Sequence, residues 1–147
     1  MSDCQLDCVK GSNVHTIMIV DDEKSFTDMI GDLLREHFTT PIHTFTYPEQ
    51  ALDQIVALRP GIVVTDYYMP TMNGIEFIRA LHAFSPQTPC IIITGHPFSL
   101  DDHAEDCSRN LKAVISKPFR CQQMIEVMQR YWAGDTPLSF RADTPSL

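Results

Sequence analysis

The chain has 147 residues, 44% hydrophobic and 20% charged, enough for one soluble domain with a proper core. Its 19 acidic residues outnumber 11 basic ones, for a formal net charge of −8. That balance excludes a general nucleic-acid or anionic-membrane binder, which needs a basic face, and leaves a metal cation or a protein as partner.

The first fifteen residues, MSDCQLDCVKGSNVH, hold no apolar targeting core, and no run of 18 apolar residues follows. Cys4 and Cys8 form a Cys-x-x-x-Cys pair with no second pair, so a zinc site is not expected. With Cys90, Cys107 and Cys121 they make an odd, scattered set without a disulfide framework, and Cys90 reads as a small core residue. A reducing cytoplasm is the expected location.

TIMIV, residues 16–20, reads as a strand, and Phe26, Met29, Ile30, Leu33 and Leu34 then recur at helical spacing. Asp22 and Glu23 also stand where the N-cap of that helix belongs. IHTF (42–45) is a weaker second strand; Pro48 starts a helix with Ala51, Leu52, Ile55 and Val56 on one face. IVVT (62–65) is the third strand, and Ile75, Phe77, Ile78 and Leu81 mark the third helix. CIIIT (90–94) and AVIS (113–116) are the fourth and fifth strands. Between them, 98–110 has few apolar contacts and predicts a poorly packed fourth helix. Met124, Val127, Met128 and Tyr131 mark the fifth helix, with Trp132 at its end. The histidines at 15, 37, 43, 82 and 103 show no partner pattern and read as surface residues; His96 reads as a loop residue.

Five strand–helix units imply a doubly wound α/β fold, a five-stranded parallel sheet with helices on both faces. Runs such as IVV and III, apolar without alternation, suit strands buried on both sides. In such a sheet ligands gather at the carboxyl ends of the strands near the point where strand order reverses. Asp21 and Asp22 end the first strand, Asp66 the third and Thr94 the fourth, and Lys117 follows the fifth. Three carboxylates brought together repel one another unless a cation joins them. Mg²⁺ suits such a site, because it is hard and takes carboxylate, water and phosphate oxygens. A carboxylate can also attack phosphorus and form an aspartyl-phosphate, with a lysine balancing the charge.

VDDE (20–23), DYYMPTMNG (66–74), ITG (93–95) and SKPF (116–119), in this order, resemble the receiver domain of two-component response regulators. The likeness covers about residues 15–132 and leaves 1–14 as a flexible extension and 133–147 as a tail or linker. It implies Asp66 as the phosphoacceptor, served by a histidine kinase or a phosphotransfer protein. Asp21 and Asp22 become the metal pair, with Asp22 the direct ligand and Tyr68 adding its backbone carbonyl. Thr94 becomes the switch hydroxyl and Lys117 the phosphate contact. Pro118 is expected to follow a cis peptide, and Gly74 to open the third helix. The family is not enzymatic beyond assisting its own phosphorylation and dephosphorylation.

Two positions depart from the family pattern. Receivers place an aromatic three residues before the lysine, where this chain has Val114, so an aromatic switch is not available. Tyr68 and His96 stand where the family tunes dephosphorylation, and a bulky Tyr68 is expected to shield the acyl phosphate from water. The likeness further implies a downstream protein or an output domain beyond this chain, and a homodimer through the fourth helix, fifth strand and fifth helix. The alternative from another class is a haloacid-dehalogenase-like Mg²⁺-dependent phosphohydrolase. It requires a second Asp two residues after the nucleophile, where this chain has Tyr68.

Overall fold

A computed structural model describes residues 15–95, 109–135 and 137–140. Five strands form one parallel sheet: β1 (Thr16–Val20), β2 (Ile42–Phe45), β3 (Pro60–Asp66), β4 (Cys90–Thr94) and β5 (Leu111–Ser116). Four helices are described: α1 (Lys24–His37), α2 (Pro48–Leu58), α3 (Gly74–Phe84) and α4 (Cys121–Tyr131). The strand order is β2-β1-β3-β4-β5, so the chain reverses direction across the sheet between β1 and β3. Crevices at such a reversal are where ligands sit in open α/β sheets.

The uninterrupted apolar strands are explained by two cores, one per face. Ile17, Ile19, Ile62, Val64, Ile91 and Ile93 pack with α1 and α4 residues such as Ile30, Leu34, Met124 and Met128. The intervening residues Met18, Val20, Val63 and Ile92 pack with Ala51, Ile55, Phe77 and Leu81 of α2 and α3. Successive strand residues point to opposite faces, so both sets must be apolar.

Several boundaries differ from the sequence reading. β3 begins at Pro60 rather than Ile62; as the first residue of the strand, its missing N–H is tolerated there. β5 begins at Leu111, whose backbone is in register with Cys90. Val56, read as a core position of α2, is 71% exposed, and Met29 of α1 is also exposed. Glu23 is the N-cap of α1 but makes no side-chain capping bond. Cys4, Cys8, His96, His103, Cys107 and most of the predicted fourth helix lie outside the described residues, so the predicted fifth helix is α4 here.

His15 and His82 are not the plain surface residues read from sequence. His15 Nδ1 lies 3.0 Å from the Arg59 carbonyl, and His82 Nδ1 lies 2.7 Å from the side-chain oxygen of buried Asn110. The chain after Trp132 also lies against the body. Ala133 N–H donates to the Gly61 carbonyl at 3.1 Å, and Thr39 N–H donates to the Ser139 carbonyl at 2.8 Å. Phe140 forms an antiparallel bridge to Phe38, with ring centroids 4.8 Å apart. No helix among the described residues is long and apolar enough to cross a membrane.

Candidate functional site

The carboxyl end of β1 delivers Asp21, and the residue's backbone N–H is tied to the Phe45 carbonyl at the end of β2. Glu23 N–H donates to Asp21 Oδ1 at 2.9 Å, which fixes the carboxylate as the chain turns into α1. Asp66 is the last residue of β3, and the next N–H, of Tyr67, donates to the Ile93 carbonyl of β4. Thr94 ends β4, and its carbonyl accepts from the backbone N–H of Lys117 at 2.8 Å. Lys117 precedes a cis peptide to Pro118.

The loop after Asp66 is held by Gly74. Its N–H donates to the Tyr67 carbonyl at 2.7 Å. A Cβ there would lie 2.8 Å from the Asp66 carbonyl oxygen, so the close approach admits no side chain. From Asn73 a capping box then starts α3: Asn73 accepts from Glu76 N–H at 2.8 Å, and Glu76 accepts from Asn73 N–H at 2.9 Å.

The predicted polar groups meet at this end of the sheet. One carboxylate oxygen from each of Asp21, Asp22 and Asp66 lies within 4.8 Å of the other two. Lys117 Nζ stands 3.4 Å from Asp66 Oδ1 and 3.6 Å from Asp21 Oδ2. Asp21 and Thr94 are each only 1% exposed, and Asp66 is nearly buried, whereas Asp22 is open to solvent. Burial pushes Asp21 up to about 6 from 3.8; the Glu23 N–H and Lys117 oppose this, and Asp66 and Asp22 reinforce it. Burial raises Asp66 as well, with Lys117 acting against it and Asp22 adding to it.

A divalent cation fits these residues on their own chemistry. Three carboxylates face one ammonium, and buried Asp21 Oδ2 has no hydrogen-bond partner. Tyr68 is 51% exposed, its ring edge-on to Tyr67 with centroids 4.7 Å apart. Val114 is half-buried against the α2–α3 core, so the position usually aromatic is filled by a packing residue.

One contact at the site was not legible as functional in the sequence. Lys117 Nζ lies over the ring of Phe26, 4.4 Å from its centroid. Phe26 stands four residues after Asp22, on the apolar stripe of α1, and periodicity alone marks it only as a core residue.

Comparison with known proteins gives a consistent picture. A family model described as the response regulator receiver domain matches residues 17–129. The transcriptional regulatory protein FixJ of Rhizobium meliloti is 31% identical over 121 residues, 79% of this chain and 56% of that protein. The phosphoglycerate transport system transcriptional regulatory protein PgtA of Salmonella typhimurium is 27% identical over 135 residues, 76% of this chain and 32% of the relative. The chain thus spans only a third to about half of these relatives. Among solved structures, the chemotaxis protein CheY4 of Vibrio cholerae superposes with a TM-score of 0.71 at 24% identity, covering 80% of this chain and 98% of that one. The phosphohydrolase alternative gains no support from the family match, and the position of its required second acid is held by half-exposed Tyr68.

Proposed function

The chain belongs to the response regulator receiver domain family, and on that premise we propose that it is controlled by phosphorylation of Asp66. The observation that carries this reading is the meeting of three carboxylates and one ammonium at the β1–β3 switch point. A carboxylate oxygen of Asp66 would attack phosphorus of a phosphohistidine on a histidine kinase or phosphotransfer protein. The P–N bond breaks as the P–O bond forms, and the histidine leaves.

Asp21, Asp22 and Asp66, with the Tyr68 backbone carbonyl, would hold Mg²⁺. When bound, the ion supplies positive charge against the transferring phosphoryl oxygens. Lys117, 3.4 Å from Asp66 Oδ1, adds a second cation on the same side. It also opposes the rise that burial imposes on Asp66, and so favours the ionised nucleophile. The Thr94 hydroxyl would meet a phosphoryl oxygen. The strand end carrying it is bonded to the Lys117 backbone, so movement at Thr94 is passed to the β5 end. With Val114 in place of an aromatic, this backbone link carries the response instead of a ring rotation.

The partners proposed are the phosphodonor and either a downstream protein or an output domain outside this chain. A homodimer through β5, α4 and the predicted fourth helix belongs to the same proposal, as does a cytoplasmic location. Any further chemistry is confined to release of its own phosphoryl group, which Tyr68 would slow by shielding.

Intact mass after incubation with acetyl phosphate, with and without Mg²⁺, tests the reading on wild type and Asp66→Ala. The expected result is a Mg²⁺-dependent gain of one phosphoryl group in wild type and none in the variant. Equal labelling of Asp66→Ala, or no labelling of wild type by acetyl phosphate or by a phosphohistidine donor, would overturn it.

A further inference from the structure

We propose that Phe26 is a positioning residue for phosphoryl transfer, its ring face seating the Lys117 ammonium between Asp21 and Asp66. This rests on the reading of Asp66 as acceptor and Lys117 as its cationic partner. Lysine reaches its site on a chain of rotatable bonds, so its charge needs a third constraint to stay in one place. The two carboxylates supply incomplete ones: the ammonium is 3.4 Å from Asp66 and 3.6 Å from Asp21, longer than charge-assisted hydrogen bonds. The ring face of Phe26 is the third, 4.4 Å from Nζ to centroid. It attracts the charge through its quadrupole and offers no oxygen to compete for the N–H donors. The ammonium is therefore held near the acceptor without collapsing onto either carboxylate.

Phe26 is itself held. Its N–H donates to the Glu23 carbonyl in the first turn of α1, the segment that begins directly after the acidic pair. Phe119, two residues beyond Lys117, meets its ring edge-on with centroids 6.3 Å apart. One ring thus ties the acidic turn after β1 to the lysine-bearing turn after β5. An apolar groove of about 390 Å³ lies alongside, lined by Phe26 and Lys117 together with Met29, Leu33 and Cys121, so the ring and the lysine stem share one wall.

The test uses Phe26→Leu, which keeps an apolar side chain, and Phe26→Tyr, which keeps the ring face, in the full chain. By NMR of the metal-free protein, the Lys117 ε-methylene should be shifted upfield in wild type and Phe26→Tyr. In Phe26→Leu it should return toward the position of a free lysine. Phosphoryl transfer from phosphoramidate at saturating Mg²⁺ should slow roughly three- to tenfold in Phe26→Leu and stay near wild type in Phe26→Tyr. Mg²⁺ affinity, measured by calorimetry, should be no weaker in Phe26→Leu, since the competing ammonium is held less firmly. A merely structural lesion would instead weaken Mg²⁺ binding and transfer together.

Wild-type transfer rates in Phe26→Leu, or a Lys117 methylene unshifted in the wild type, would overturn the inference and leave the assignment of Asp66 standing. Failure of the wild type to accept any phosphoryl group would overturn the function proposed above, and this inference with it.

Discussion

Asp21 concentrates the physical tension of the site. It is almost fully buried, its Oδ2 has no hydrogen-bond partner, and the nearest cation is a lysine shared with Asp66. An acid whose folded-state value lies above its unfolded one takes up a proton on folding within the interval between them, here from about 3.8 to 6. Between those values the native state binds more protons than the unfolded chain, so stability falls as pH rises and stays reduced above pH 6. The interval corresponds to about 3 kcal/mol. In chelator, Asp21→Asn is therefore expected to be more stable than wild type by about 1–3 kcal/mol at pH 7.5. The two should converge near pH 4, and the amide keeps an oxygen for the Glu23 N–H. Urea unfolding at the two pH values checks this, and a less stable Asp21→Asn at pH 7.5 would contradict it. Added Mg²⁺ should stabilise wild type and narrow the difference, because a ligand of the native state shifts unfolding by mass action.

At the scale of elements, the turn from β3 into α3 decides where Asp66 points, and Gly74 is its critical residue. An added methyl would meet the Asp66 carbonyl oxygen at 2.8 Å and Tyr67 Cα at 3.2 Å, both backbone atoms that cannot swing aside. Gly74→Ala should cost about 1–3 kcal/mol and slow phosphoryl uptake by displacing the Asp66 backbone. Gly95, where an added Cβ meets no atom of the described residues within 4 Å, provides the contrast: Gly95→Ala should stay within about 0.5 kcal/mol of wild type. Denaturant midpoints of the two variants separate close approach from a general intolerance of alanine. The sequence shows such turns well because each strand end combines an apolar run with an abrupt carboxylate, hydroxyl or ammonium. The fold was legible for the same reason, since strands buried on both faces leave uninterrupted apolar runs in β3 and β4. What periodicity could not reveal was partnership across elements. Phe26 and Ile30 share one apolar stripe, yet Phe26 meets a lysine some ninety positions later. Val56 keeps helical spacing and still faces solvent, since a shared period does not say which positions a neighbouring element covers.

For the whole molecule, the segment after Trp132 closes the end of the sheet opposite Asp66. Its lack of hydrophobic period reads as a linker, but what holds it is a set of single contacts spaced along an extended chain. Trp132 lies flat enough over Gly61 that a Cβ there would come within 2.6 Å of its ring. Asp135 reaches His15 at 3.5 Å and Arg59 at 3.8 Å, and Leu138 packs on the α1–α4 core. Ser139 N–H donates to Thr40 Oγ1 at 2.9 Å, and Phe140 covers Phe38. The two ion pairs involve an exposed carboxylate and add little, so the apolar covering and backbone bonds carry the stabilisation. A chain ending at Trp132 uncovers Phe38 and leaves the Thr39 N–H to water, which should lower stability by about 2–4 kcal/mol. The acidic site lies at the other end of the strands and uses none of these residues. The shortened chain should therefore melt earlier yet take up one phosphoryl group from acetyl phosphate as the full chain does, at a temperature where both are folded. Thermal melts and intact mass of the two chains provide the check. An unchanged melting temperature would mean that the segment does not hold the fold, and loss of uptake in a folded shortened chain would mean that the two ends of the sheet are coupled.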